Sequence, residues 1–183
     1  VCWEQENRNM KSFRQISIEN QDEEFLKSYA ENPKLEIIDT HLNNSCNLRC
    51  RMCDPNSSSL LQIDHNFFKK NNLMADVEYS IGRWGTKKNI FDLKDVKQWK
   101  WIYDNADEIK VLRMSGGEPF YNHHVLNFLA HCIEKGFSEN LTLEFHTNAT
   151  LFDDDLLLET LTKFNNKLNF SIDGQGKAYE YIR

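Results

Sequence analysis

EIKVLRMSGGEPFYNHHVLNFLAHCIEKGFSENLTLEFHTN, residues 108–148, changes its hydrophobic rhythm three times. EIKVLRM has the short apolar character of a buried strand, and SGGEP is a loop. HHVLNFLAHCIEK has helical spacing, with Asn122 placed to cap its start and Gly136 to end it. LTLEFHTN is strand again. Two strands joined by a helix need a crossover, so this stretch predicts a parallel pair.

The same rhythm extends outward. Downstream, DDDLLLETLTKF (153–164) predicts a helix with acids in its first turn, and KLNFSID (167–173) another strand. Upstream, KLEIIDTHL (34–42) is a short β-branched strand, and a helix is expected from Ser57 to about Phe68. DLKDVKQWKWIYDNA (92–106) reads as a helix with Val96, Trp99, Ile102 and Tyr103 on one side, while 69–89 is irregular. IENQDEEFLKSYAE (18–31) reads as an amphipathic helix closed by Asn32-Pro33. The expected class is α/β, a partial TIM-like (β/α) barrel of parallel strands ending after about the fourth. In such folds chemistry sits at the carboxyl ends of the strands. The expected division is 1–33, the end of a preceding segment plus a linker helix, and 34–183, an incomplete core domain. The chain opens without methionine in a polar run and closes on GKAYEYIR, a helix just beginning, so it reads as a piece of a longer protein.

At 183 residues and 40% hydrophobic, the chain has material for one real core. A net charge of −6 argues against a general nucleic-acid or anionic-membrane binder. No apolar run is long enough to span a membrane and no signal peptide is visible, so the expected compartment is the cytoplasm. Five cysteines, an odd number with three clustered, suit metal chemistry in a reducing compartment better than disulfides.

The cluster is Cys46, Cys50 and Cys53 in HLNNSCNLRCRMCDPNSS, residues 41–58. As a helical stripe the triplet would share one face, but Asn43, Asn44, Asn47 and Pro55 are loop formers. As a zinc site it needs a fourth ligand, which His41 or His65 would supply, although structural zinc ligands usually come as two separated pairs. A disulfide with one spare thiol is a third reading. The fourth is an iron–sulfur cluster held by three thiolates, with one iron left open. Arg49 and Arg51 would then offset its charge, or else are ordinary solvated side chains.

CNLRCRMC together with SGGEP resembles the radical S-adenosylmethionine (SAM) superfamily, over residues 34–183. The resemblance implies a [4Fe-4S] cluster on Cys46, Cys50 and Cys53 whose open iron chelates SAM. It implies an enzyme that cleaves SAM reductively to a 5′-deoxyadenosyl radical, which abstracts hydrogen from a substrate. Carried over residue by residue, Met52 sits near the adenine, where the family more often has an aromatic. Ser115, Gly116, Gly117 and Glu118 match the GGE-type motif that receives the methionine ammonium group. Asn148 stands where polar residues approach SAM, Ser171 and Asp173 match the fourth-strand segment that contacts it, and Arg183 is placed toward its carboxylate. Cys132 reads as a small core residue; His123, His124 and His131 are read as structural or exposed, and a catalytic role for His146 is the less favoured reading.

VCWEQENRNMKSFRQ resembles the C-x-x-C-W ending of SPASM or twitch segments. That implies an auxiliary cluster with Cys2 as its last ligand, the alternative being an isolated thiol. Relatives with such segments often modify peptides, so the implied substrate is a peptide or protein; the superfamily resemblance implies a flavodoxin- or ferredoxin-type electron donor. Basic residues interleaved with Trp84, Phe91 and Trp99 between Arg83 and Lys100 leave open an RNA-modifying enzyme. A non-enzymatic zinc-binding module is the remaining alternative.

Overall fold

The computed structural model describes residues 2–41, 44–74 and 96–183, the side chains of 96–98 excepted. The chain forms two compact units, residues 1–35 and 36–183.

The first unit holds α1 (Cys2–Asn7), α2 (Phe13–Glu19) and α3 (Glu23–Glu31). The single helix expected over 18–31 is divided. Asn20 closes α2, and the Asp22 carboxylate accepts from the Phe25 N–H at 2.6 Å to start α3. Ser12 and Gln15 cap α2 reciprocally, each side chain accepting from the other's backbone N–H.

The second unit is built on β1 (Ile37–His41), β2 (Val111–Ser115), β3 (Thr142–Thr147) and β4 (Asn165–Phe170). All neighbouring strands are parallel, and their spatial order is β1-β2-β3-β4. Around them lie α4 (Ser59–Lys70), α5 (Val96–Asp104), α6 (His123–Lys135), α7 (Asp155–Leu161) and α8 (Lys177–Ile182). This is the partial β/α barrel that the alternating rhythm predicts. Asn122 caps α6 and Gly136 ends it in a left-handed conformation, as read from the sequence.

Alternation along each strand separates two faces. Leu112 and Met114 of β2 and Leu143 and Phe145 of β3 pack with Trp99 and Ile102 of α5, Phe128 and Leu129 of α6, and Leu157 and Leu161 of α7. Full burial of each such side chain contributes roughly 1.5–3 kcal/mol. Cys132 is a fully buried member of this core, and burial alone pushes its thiol up to about 12. Trp99 stacks on His124 and Tyr103 meets His131 edge-on, so those two histidines serve packing.

The opposite face is polar. One row of register partners reads Asp39, Arg113, Glu144, Lys167 across all four strands, alternating in sign. Arg113 Nε donates to one oxygen of Glu144 and Lys167 Nζ to the other. The next row toward the carboxyl ends continues from His41 and Ser115 to His146 and Asn169. Ser115, His146 and Asn169 line a cleft of about 270 Å³ above the charged row.

The start of α7 is held by Asp154, whose carboxylate accepts from the N–H groups of Leu156 and Leu157 at 2.9 and 3.2 Å. Asp154→Ala is expected to cost about 1 kcal/mol, and Asp154→Asn much less. Urea denaturation should show the midpoint move without a change in slope.

Candidate functional site

The carboxyl ends of the strands gather the residues that the sequence singles out. After β1 the cysteine loop is set by local polar bonds. Asp54 accepts from the N–H groups of Asn56 and Ser57 at 3.0 Å each, closing a tight turn. Ser58 caps α4 and donates to Leu48 O at 2.7 Å, pulling the loop onto the helix. Cys46 and Cys50 are buried and Cys53 is partly so. The loop therefore holds its thiols inward without regular structure, which the asparagines and proline favour.

SGGEP meets this loop directly. The Glu118 N–H donates to Ser45 O at 2.8 Å. Gly116 and Gly117 have φ of +80° and +59°, a region that side chains resist. A Cβ on Gly116 would lie 2.1–2.3 Å from three atoms of the His41 ring. That ring in turn contacts Asn56 O through Nε2 at 3.3 Å, so His41, one of the two candidate zinc ligands, is built into the loop.

Glu118 is 1% exposed. Its carboxylate accepts from Thr147 Oγ1 at 2.8 Å, the Asn148 N–H at 2.7 Å and the Phe120 N–H at 3.3 Å. Burial pushes this carboxyl up, while those three hydrogen bonds and the Arg183 charge pull it back. Glu118→Gln would set amide hydrogens against the donors on one of the two oxygens, Asn148 N–H on one side or Thr147 and Phe120 on the other. It is expected to lose about 1–3 kcal/mol in chemical denaturation, the cost of a buried donor left unmet.

Asn148 lies beside Asn47 and Cys46, with its Nδ2 2.9 Å from Asn47 Oδ1 and 3.9 Å from Cys46 Sγ. Ser171, at the end of β4, donates its backbone N–H to Thr147 O at 2.8 Å. Arg183 crosses to the loop: Nη1 is 3.3 Å from Cys50 Sγ, Nη2 donates to Ser171 O at 2.6 Å, and the guanidinium pairs with Asp173. Arg51 stacks over Tyr181 and donates its N–H to Ile182 O at 2.9 Å, bringing α8 to the same loop. Met52 is exposed on the loop. Thus Cys46, Cys50, Glu118, Asn148, Ser171, Asp173 and Arg183 form one connected patch. Sequence reading missed Asn47, Thr147's hydroxyl bond to Glu118, and Thr150. The available signal was their polarity in the loops that follow β1 and β3.

In chemical kind the donor set, three sulfurs carried on one loop, is what an iron–sulfur cluster takes. Burial raises the Cys46 thiol and, with the nearby Cys50 charge, lifts Cys53 to about 11. A cationic centre bound by these sulfurs would oppose that shift and favour the thiolates. Among the described residues no group of three or more His, Cys, Asp and Glu converges on a single metal ion. An Fe–S cluster spreads its ligand sulfurs more widely than one tetrahedral ion does. Arg183 Nε is buried without a partner among the described residues, a donor that an anionic ligand would satisfy.

Of the basic aromatic stretch, residues 83–95 lie outside the described residues. Trp99 belongs to the core and Lys100 pairs with Asp104 at 2.6 Å. Among the described residues no helix is long and apolar enough to cross a membrane. No match was found among curated proteins or solved structures. The family model described as the radical SAM superfamily matches residues 41–177.

Proposed function

The chain belongs to the radical SAM superfamily, and from that premise we propose that Cys46, Cys50 and Cys53 hold a [4Fe-4S] cluster beside a SAM site built from SGGEP and the ends of β3 and β4. Membership makes the protein a radical SAM enzyme, in a family that works with a [4Fe-4S] cluster and SAM. When bound, the cluster supplies the electron for reductive SAM cleavage, and SAM the 5′ carbon that takes hydrogen from the substrate.

The single observation that carries this reading is the junction of the two motifs: Glu118 N–H on Ser45 O, next to Cys46. Gly116 and Gly117 let backbone approach a ligand closely, where carbonyls can accept from its ammonium group. Ser115 borders the cleft below. Arg183, held by Asp173 and Ser171 O, keeps a cation beside Cys50 for the SAM carboxylate. Met52, exposed on the loop, is free to cover the adenine. The resemblance of the segment at Cys2 to a SPASM or twitch ending supports a peptide or protein substrate and an auxiliary cluster that includes Cys2, and the family supports a flavodoxin- or ferredoxin-type donor.

The test is anaerobic assembly of the full-length protein with iron and sulfide. About four irons are expected on the triplet, besides any auxiliary cluster, with an electron paramagnetic resonance signal that SAM alters. Dithionite and SAM should then yield 5′-deoxyadenosine. A colourless zinc protein, or an iron-loaded one indifferent to SAM, would overturn the proposal.

A further inference from the structure

The side-chain amide of Asn148 has two N–H donors and one oxygen with two lone pairs, and the protein engages them all. Nδ2 donates to Asn47 Oδ1 at 2.9 Å and reaches Cys46 Sγ at 3.9 Å. Oδ1 accepts from the Thr150 N–H at 3.0 Å and from Thr150 Oγ1 at 2.7 Å. The Thr150 N–H can only donate, so it fixes which end of the amide is oxygen and turns the NH₂ toward the sulfur. Asn47 Nδ2 closes a ring of three side chains by donating to Thr150 Oγ1 at 2.7 Å. The Asn148 backbone N–H is taken by Glu118. The turn behind it runs through Ala149 at φ +62°, a conformation that the ring helps to maintain.

We propose that Asn148 is a positioning residue for the cluster: its amide donates to the Cys46 sulfur, holds the cysteine loop to the end of β3, and so raises the cluster's reduction potential. The inference rests on the reading that Cys46, Cys50 and Cys53 carry the cluster. It assigns Asn148 to the sulfur rather than to SAM, because no donor or acceptor of its amide is left over. Hydrogen bonds to cluster sulfurs draw negative charge from the metal centre and favour its reduced state. The Leu48 N–H is a second donor to Cys46, at 3.5 Å. Asn148 is the one that reaches Cys46 from a different loop, the one after β3, and it is 8% exposed, where dielectric screening is weak.

The experiment is a redox titration, followed by electron paramagnetic resonance, of the reconstituted full-length protein without SAM. Asn148→Ala should make the midpoint more negative, and Asn148→Asp more negative still, since it replaces the donor by a charge. Thr150→Val keeps Asn148 and removes one of its anchors, so it should give a smaller shift of the same sign. A residue that only binds SAM would leave this SAM-free midpoint unmoved, and one that only fills space would leave it unmoved in Thr150→Val, where Asn148 itself is kept. An unchanged midpoint in iron-loaded Asn148→Ala and Thr150→Val overturns the inference. So does failure of both variants to assemble iron where the unmodified protein succeeds, because Asn148 would then serve loop formation alone. Failure of the unmodified protein to assemble a cluster strikes the proposed function instead.

Discussion

Cys50→Ala is expected to remove the cluster-borne iron of the 46–53 loop while leaving the fold intact. Cys50 is 3% exposed and sits between the Arg183 guanidinium and Cys53. With it gone, two thiolates remain, too few to retain a cluster that already lacks a fourth protein ligand. Its surroundings are polar loop, so its loss opens no cavity in the helix-packed core. Thermal unfolding should change little, whereas iron and sulfide content, the response to SAM and 5′-deoxyadenosine formation should fall to background. Cys132→Ala is the matched control: it changes a buried cysteine of the β/α core and should keep the iron at a small cost in stability. Retention of the full cluster by Cys50→Ala would place the ligands elsewhere.

Gly116→Ala is expected to be the most destabilising single methyl in this part of the molecule. The residue's φ of +80° costs an alanine about 1–3 kcal/mol. The new Cβ would also fall 2.1–2.3 Å from the His41 ring, which must leave its place against Asn56 O. Overpacking of that kind adds about 1–3 kcal/mol. Denaturant titration should show a total loss of about 2–6 kcal/mol, the sum of the two ranges. His41→Ala in the same chain should recover the steric part and leave the conformational part, a coupling that a double-mutant cycle reads directly. If Gly116→Ala alone is neutral, the close contact of SGGEP with the first strand is wrong.

The parts of the fold that were legible in sequence are those fixed by neighbours in the chain. Asn122 and Gly136 bracket α6 because caps act over one turn, and both hold in the structure. β4 is displaced from the reading of 167–173 to Asn165–Phe170. Its first residues are two asparagines, poor strand signals, and Asn166 is spent bonding Leu161 O and Phe164 O. The helix expected over 153–164 is shorter, since Asp154 starts it and Thr162 ends it. The motif glycines were legible because positive φ restricts residue type. The burial of Glu118 was not, and neither was the ring of Asn47, Asn148 and Thr150. Both depend on partners brought together from different strands, for which a linear pattern of polarity gives no address.

The charged row across the sheet also bears on how the strands find their alignment. Displacing β3 against β2 by one residue would turn Leu143 and Phe145 to the wrong side, and the pleat alone forbids it. A displacement by two keeps every apolar residue inside, so greasiness cannot detect it. It would, however, set Arg113 beside Thr142 or His146 and strand Glu144 away from its cation. Odd errors are thus caught by water and even errors by charge, like two independent digits of a checksum written into β2 and β3.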